Sequence, residues 1–232
     1  MRLVNGEPNQ DVFAARWLRD VPPGAIDKLR RTSKAITLPD RGIVYGLGAE
    51  QRWFWGIASG QVRVQVALNE MGPTLGHIHQ AGAWFGESEP LLGVPGLVEM
   101  QAAGETMVVR VPFASFRRLA NAHPELWEAL ARLTSMNQVL AMSAANDLAL
   151  RTGRMRLAAT LLRLSGQRAD FQNSARRMVI PASQQEVANL ANVSLSKACD
   201  QLGAFAKTKL IQLEYGRIVV LDPEKLRAII DL

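Results

Sequence analysis

The feature that most constrains the fold of this 232-residue chain is the distribution of its glycines. Twelve of the 18 glycines lie between Gly42 and Gly104, and none lies between Gly104 and Gly153. Glycine destabilises helices and permits tight turns, so the first stretch favours short strands and the second a long helix. Polar and apolar residues alternate in Gln61–Val66, which predicts a half-buried strand. We therefore expect a small antiparallel roll of the jelly-roll type, preceded by short helices in Val12–Leu29 that break at Pro22–Gly24.

The glycine-free stretch predicts a helix from Pro124 to about Leu150. Apolar residues recur there at alternating steps of four and three, which is the spacing of a coiled-coil seam. One interpretation is a dimerisation helix in which Asn137 pairs with its symmetry mate; the other is a helix packed on its own domain with Asn137 at the edge. The spacing favours the first, and Gly153 then marks a hinge. The predicted seam consists of Leu126, Leu130, Leu133, Asn137, Leu140 and Ala144.

The positive charge of the chain is concentrated in its last third. Residues 151–232 contain 13 Lys or Arg and 7 Asp or Glu, whereas residues 1–150 contain 14 of each. A basic module attached to a neutral one is typical of nucleic-acid-binding proteins, although a basic surface without a partner is equally compatible with charge alone. Met1–Gln10 is polar, and no apolar run is long enough to span a membrane. We expect no signal peptide and a cytoplasmic protein.

Residues 183–205 carry the pattern of a helix-turn-helix. Ser183 and Glu186 form a capping-box sequence, and the helix that follows is predicted to bury Val187, Leu190 and Ala191, with the small Ala188 where the helices approach closely. Asn192 suits the positive φ of a sharp turn, and Ser194 suits the N-cap of a second helix. That helix is predicted to bury Ala198 and Leu202. It presents Ser196, Lys197, Asp200 and Gln201 outward, although Gln201 stands where an apolar residue is expected.

The flanking segments predict a winged version of this motif. A helix is expected over Arg154–Leu164, a loop over Arg168–Arg177 and a short strand over Met178–Ile180. The pattern of Leu210–Asp222 predicts a hairpin that turns at Tyr215 and Gly216, and Pro223 begins a last helix.

In such a motif the second helix enters the major groove of DNA with its first residues nearest the bases. Gln185, Ser194 and Lys197 suit phosphate contacts, while Leu195, Ser196 and Asp200 suit base edges. For each of these residues the alternative is an exposed side chain without a DNA contact. The complete predicted set of DNA-binding residues is Thr152, Gln185, Ser194, Leu195, Ser196, Lys197, Asp200 and Arg217.

The sequence resembles the superfamily of the cyclic-AMP receptor protein and the fumarate–nitrate reductase regulator (CRP/FNR) along nearly its whole length. The resemblance implies an α+β fold with a cyclic-nucleotide-binding-like β-roll over residues 1–122, a dimerisation helix over 123–150 and a winged helix-turn-helix over 151–232. It implies a homodimeric transcription regulator on a two-half-site DNA operator, with RNA polymerase and a small-molecule effector as further partners. The matching segments are Gly60–Val64, Gly82–Glu87, Arg151–Arg154 with Leu157–Leu164, and Gln185–Ser194.

The sequence also departs from the family pattern. Gly82–Glu87 resembles the start of the family's phosphate-binding cassette, but Gly96, Leu97 and Val98 stand where the cassette's Arg and Ser or Thr hold the cyclic phosphate. A buried phosphate without a cationic partner is unstable. Gly86, Glu87, Leu97 and Val98 are thus the candidate effector positions, but we do not expect cyclic AMP as a cofactor. Residues other than the family's usual arginines and glutamate occupy the second helix, so we expect a different operator.

Few other residues suggest a chemical site. His77 and His79 share one face of a strand, which could begin a metal or haem site but more often marks edge histidines. Trp53–Trp55 suits core packing better than an effector pocket. Because Cys199 is the single cysteine of the sequence, an internal disulfide and a cysteine-only iron–sulfur cluster are excluded. We expect Cys199 to be a buried thiol rather than a redox switch. We find no catalytic motif and expect no enzyme. The alternative function is a ligand-binding or protein-interaction module that does not read DNA sequence.

Overall fold

The structure is a computed structural model that describes residues 11–67, 73–168 and 178–231. The predicted α+β class is confirmed, with an antiparallel sheet in the N-terminal part and a helix-turn-helix in the C-terminal part. The chain forms two compact units, Met1–Gln138 and Val139–Leu232. The polar start Met1–Gln10 and most of the predicted loop Arg168–Arg177 lie outside the described residues. No helix in the described part of the chain is long and apolar enough to cross a membrane.

The first unit begins with two short 3₁₀ turns, Val12–Ala14 and Arg16–Leu18, followed by helix α1, Pro23–Thr32. Pro23 occupies the first helical position, where its missing N–H costs no hydrogen bond. The prolines predicted to break the helical region therefore also begin α1.

Six antiparallel strands form the sheet of this unit: β1 Lys34–Leu38, β2 Ile43–Tyr45, β3 Trp53–Val66, β4 Thr74–Gln80, β5 Trp84–Phe85 and β6 Glu99–Pro112. The order is β1-β6-β3-β4, with β2 paired to β6 and β5 paired to β3. A short helix, α2, Ser88–Leu92, connects β5 to β6. The long central strands β3 and β6 therefore hold the other four together.

Alternate residues of β3 enter two separate apolar clusters, as expected when both faces of a sheet are covered. Phe54 packs with Trp17 and Trp84 on the side of the N-terminal turns, while Trp55 and Phe85 pack on the other side. Trp84 also donates a hydrogen bond from Nε1 to the carbonyl oxygen of Val12, at 2.9 Å. The expectation that Trp53–Trp55 serves core packing agrees with this placement.

Two helices complete the first unit: α3, Phe113–Ala122, and α4, Glu125–Leu148, in which the first unit ends. Leu126, Leu130 and Leu133 are buried among the aromatic residues of the chain's own core. They cannot line a surface seam, which corrects the prediction from their spacing. A 3.5-residue repeat specifies one apolar face of a helix but not which partner covers it.

Asn137 is also engaged within the chain. Its Nδ2 donates to a carboxylate oxygen of Glu87 at 2.8 Å and to the carbonyl oxygen of Trp84 at 3.2 Å. The predicted pairing of Asn137 with a symmetry mate is therefore replaced by a contact to the end of β5. Leu140 and Ala144, the last two residues of the predicted seam, are half-buried.

The second unit contains α5 Gly153–Leu164, β7 Met178–Ile180, α6 Gln184–Leu190, α7 Leu195–Lys207, β8 Ile211–Glu214, β9 Arg217–Val220 and α8 Pro223–Ile230. The strands form an antiparallel sheet in the order β7-β9-β8. The predicted strand before and hairpin after the helix-turn-helix are both confirmed.

Substitution of Leu130 by Ala tests the assignment of the first half of α4 to the core. We expect Leu130→Ala to lower the free energy of unfolding by about 2–5 kcal/mol, because it leaves a cavity beneath the sheet. Leu148→Ala is the matched control, since Leu148 lies on the same helix but is exposed, and it should change stability by less than about 0.5 kcal/mol. Denaturant titration of both variants measures the difference; equal effects would contradict the assignment.

Candidate nucleic-acid interface

The turn between α6 and α7 is built on Asn192. Its φ is 49°, in the left-handed region that the sequence predicts for this position. Asparagine tolerates this conformation better than other residues with a β-carbon. The backbone N–H of Val193 donates to the carbonyl of Ala188 at 3.0 Å, which closes the turn.

The two serines that precede α6 and α7 behave differently. Ser183 Oγ accepts from the backbone N–H of Glu186 at 3.2 Å, and Glu186 Oε2 accepts from the backbone N–H of Ser183 at 2.8 Å. The predicted capping box is therefore confirmed. Ser194 is the N-cap of α7, as predicted, but its side chain makes no capping hydrogen bond. The hydroxyl of Ser194 and the first turn of α7 thus remain open to an external acceptor.

The inner faces of α6 and α7 agree with the sequence prediction in most positions. Fully buried residues are Val187, Ala188, Ala191, Ala198, Leu202 and Phe205. Leu190 is only half-buried. The prediction that Gln201 points outward is wrong: it is half-buried, and its Oε1 is enclosed without a hydrogen-bond partner in the described part of the chain. Leu202, the next residue, is fully buried.

All eight predicted DNA-binding residues are exposed. Three of them already have partners: Thr152 caps α5, Gln185 donates to Asn189 at 2.8 Å, and Arg217 pairs with Glu214. On α7, no hydrogen bond or ion pair within the described residues occupies the side chains of Ser196, Lys197 or Asp200. Leu195 begins the helix with 42% of its surface exposed. Contacts of these residues with DNA stay a prediction.

Two features of this surface are missed or misjudged from the sequence. Tyr215 is fully exposed at the tip of the hairpin between β8 and β9, followed by Gly216 at a φ of 70°. The sequence assigns Tyr215 only a turn position, although an aromatic residue at a hairpin tip has no core to enter. Cys199 is exposed, not buried as predicted. It follows the buried Ala198 on α7, and adjacent helical positions face different directions.

The candidate effector positions in the first unit differ in their burial. Gly86 has a φ of 82°, and a β-carbon there would lie 3.1 Å from the ring of Trp55. Glu87 is buried, and burial raises the pKa of its carboxyl while the hydrogen bond from Asn137 opposes that shift. Leu97 is 56% exposed and Val98 is half-buried. Gly86 and Glu87 thus have contacts within the chain, and an effector role for these four positions stays a prediction.

A second buried carboxylate lies close to the first. Tyr45 donates its hydroxyl to Glu89 Oε1 at 3.4 Å, and both residues are buried. Burial raises the pKa of Tyr45, and the charges of Glu89 and Glu87 add to the effect. Two buried carboxyl groups therefore lie in the segment just after β5.

His77 and His79 lie on one face of β4, as predicted. Their rings are 5.0 Å apart, and His79 stacks on Phe85 with a centroid distance of 5.3 Å. Burial lowers the pKa of His79 to about 4, so its ring is neutral at physiological pH. In the described part of the chain no group of three His, Cys, Asp or Glu side chains is placed to hold a metal ion.

A comparison with known protein families finds a match for the C-terminal part of the chain. Residues 155–229 match the Crp-like helix-turn-helix domain. The C-terminal domain is a Crp-like helix-turn-helix domain. No curated protein matches the sequence. The family resemblance drawn from residues 185–194 is thereby confirmed for this part of the chain.

Solved structures extend the likeness to the fold of most of the chain. FixK2 from Bradyrhizobium japonicum is 20% identical with a TM-score of 0.69, covering 84% of this chain and 96% of that one. TTHA1359, a CRP/FNR-family transcriptional regulator from Thermus thermophilus, is 23% identical with a TM-score of 0.63, covering 86% and 99%. The c-di-GMP-responsive global regulator CLP from Xanthomonas campestris is 18% identical with a TM-score of 0.64, covering 86% and 99%. The fold is thus that of CRP/FNR transcription regulators.

Substitutions at Asn192 test the turn of the Crp-like domain. Asn192→Ala should lower the free energy of unfolding by about 1–2 kcal/mol, because an alanine β-carbon is strained at positive φ. Asn192→Gly is the matched control, and it should leave stability unchanged or raise it. Thermal unfolding of the full chain compares the two variants, and a stable Asn192→Ala protein would show that the turn does not depend on this conformation.

Proposed function

We propose that the protein is a homodimeric, DNA-binding transcription regulator of the CRP/FNR type that reads a two-half-site operator. The observation that carries the proposal is the exposed outer face of α7 in a Crp-like winged helix-turn-helix. Ser196, Lys197 and Asp200 are polar, exposed and without partners in the described residues, which suits side chains that bind base edges and phosphates.

The electrostatics of the domain support the same function. Residues 151–232 carry the whole net charge of +6 of the chain. The open first turn of α7 adds unpaired backbone N–H groups next to the Ser194 hydroxyl. Helix N-termini of this kind bind phosphate groups. Lys197 supplies an exposed cation on the same turn, so the phosphate contacts would cluster at the start of α7.

A second stripe on α4 supports the homodimer. Val139, Met142 and Asn146 follow one another at steps of three and four, and all three are exposed. This is the spacing of a coiled-coil seam, displaced by two residues from the one predicted from the sequence. Exposed apolar side chains in such a row suit a second copy of the same helix. We infer that Val139 and Met142, not the buried leucines, form the dimer contact.

The sheet domain supports a changed or absent effector. No Lys or Arg stands between Arg63 and Arg110, and the segment contains the buried Glu87 and Glu89. An anionic ligand placed there would meet these buried carboxyl groups and no cation from the segment itself, which is unfavourable at low dielectric. We infer that cyclic AMP is not held by the usual phosphate anchor. A dimer that binds DNA without any effector is the simplest alternative, and it predicts equal operator affinity with and without cell metabolites.

Selection of bound sequences from a pool of random DNA duplexes tests the function directly. The full-length protein should enrich two inverted half-sites whose centres lie about one helical turn, roughly 10 base pairs, apart. Footprinting of the selected duplex should show protection of both half-sites. Weak binding without sequence enrichment would reject the proposal and favour a ligand-binding or protein-interaction module.

Lys197→Ala in the same assay separates phosphate contacts, which position the protein on DNA, from contacts that read the base sequence. If Lys197 contacts a phosphate, the variant should bind all sequences more weakly and reduce the salt dependence by about one unit of slope. Lys225→Ala is the control, because Lys225 lies on α8, not on α7, and pairs with Asp222 at 2.8 Å. An unchanged salt slope for Lys197→Ala would exclude the phosphate contact.

Met142→Asp tests the proposed dimer contact. A carboxylate facing its own symmetry mate should convert the dimer to a monomer, because like charges repel and the apolar contact is lost. Sedimentation velocity at micromolar concentration measures the change. Ala141→Asp is the control, since Ala141 is exposed on the same helix but outside the stripe. A dimeric Met142→Asp protein would place the interface elsewhere.

A further inference from the structure

One arginine of α5 binds three backbone carbonyls that belong to separate parts of the second unit. Arg156 Nε donates to the carbonyl oxygen of Ala191 at 2.9 Å, and its NH2 donates to that of Asn192 at 3.2 Å. Its NH1 donates to the carbonyl oxygen of Leu150 at 3.1 Å. Ala191 and Asn192 form the turn of the helix-turn-helix, while Leu150 follows the end of α4. A single planar guanidinium therefore joins the two.

A second group of contacts holds the end of α4 within the second unit. Asp147 is 1% exposed, and its two carboxylate oxygens accept from Arg163 Nε at 3.1 Å and Arg168 Nε at 3.0 Å. Arg163, on α5, is itself buried. Buried ion pairs of this kind add little net stability, but separation of the partners would leave uncompensated charges in the interior. The geometry of the pair is therefore strongly restrained.

Gly153 contributes close packing between these two attachments. A β-carbon at Gly153 would lie 3.1 Å from Val193 Cγ2, so the start of α5 lies directly against the turn of the helix-turn-helix. The φ of Gly153 is not among the positive values of the chain. The structure shows a close approach at this glycine, and the hinge that the sequence predicts there stays a prediction.

We propose that Arg156 is a positioning residue for DNA recognition, which fixes the turn before α7 to the end of α4 and so sets the spacing of the two half-sites. The inference rests on the proposed function. In a dimer formed through α4, the ends of the two helices have a fixed separation. If each turn is attached to its own helix end by Arg156, the two recognition helices are held at one separation. A lysine cannot replace the guanidinium, because its donors cannot reach three carbonyls in one plane.

The consequence for DNA binding is selectivity for spacing rather than for base sequence. A spacer changed by one base pair moves a half-site by about 3.4 Å and rotates it by about 34°. A rigid dimer cannot follow that change, whereas a dimer with a loosened turn can. The base contacts of α7 do not involve Arg156, so the preferred half-site sequence should stay the same.

The test is a parallel selection from random DNA duplexes with full-length wild-type protein and Arg156→Lys, read for half-site sequence and for half-site separation. We expect the wild type to enrich one separation and to bind a duplex with one added base pair at least about tenfold more weakly. Arg156→Lys should enrich the same half-site sequence over two or more separations, with most of that tenfold preference lost. Arg227→Lys is the matched control, because its guanidinium binds the carbonyl of Gln167 at 2.8 Å in the same unit but away from the turn.

The outcomes separate this inference from the proposed function. If the wild type enriches no paired half-sites, the proposed function fails and the inference fails with it. If the wild type enriches one separation and Arg156→Lys enriches that same single separation, only the inference is overturned. Asp147→Asn, which weakens the second attachment, covers the case in which Arg156→Lys does not fold, as judged by circular dichroism. It should also broaden the separations, and a wild-type pattern in a folded Asp147→Asn protein would count against the inference.

Discussion

The burial of one face of α4 in the core of the N-terminal unit is the constraint on which the rest of the structure depends. Leu126, Leu130 and Leu133 pack beneath the sheet, and Asn137 is bound to the end of β5. These contacts determine which face of α4 is left exposed. Helix α4 also connects the two units along the chain, since the first unit ends within it.

The end of α4 makes contacts of a different kind from those of its first half. Near its end Asp147 pairs with Arg163 and Arg168, and just beyond it the carbonyl of Leu150 accepts from Arg156. Apolar contacts tolerate small displacements, whereas hydrogen bonds to charged groups depend on distance and angle. The helix thus begins among apolar contacts and ends among directed bonds.

The sequence predicts those features that local physical chemistry determines. The capping box at Ser183, the positive φ at Asn192 and the hairpin turn at Tyr215 and Gly216 each follow from a few neighbouring residues, and all are present in the structure. The alternation of Gln61–Val66 likewise predicts the strand found there. The inferences that fail are those that depend on tertiary partners. The repeat in α4 identifies an apolar face but cannot say whether its own core or a second chain covers it. The burial of Gln201 and the exposure of Cys199 depend on the rotation of α7 by a fraction of a turn. Arg156 carries no signal, because its acceptors are backbone carbonyls that no residue type reveals.

The tip of the wing has a consequence for how this surface changes over evolutionary time. Tyr215 is as exposed in the folded protein as in an unfolded chain, and Gly216 beside it supplies the backbone conformation that the hairpin needs. Folding therefore gains nothing from the tyrosine ring, and its replacement costs the fold nothing. The stability of the fold therefore does not account for the tyrosine found at this position.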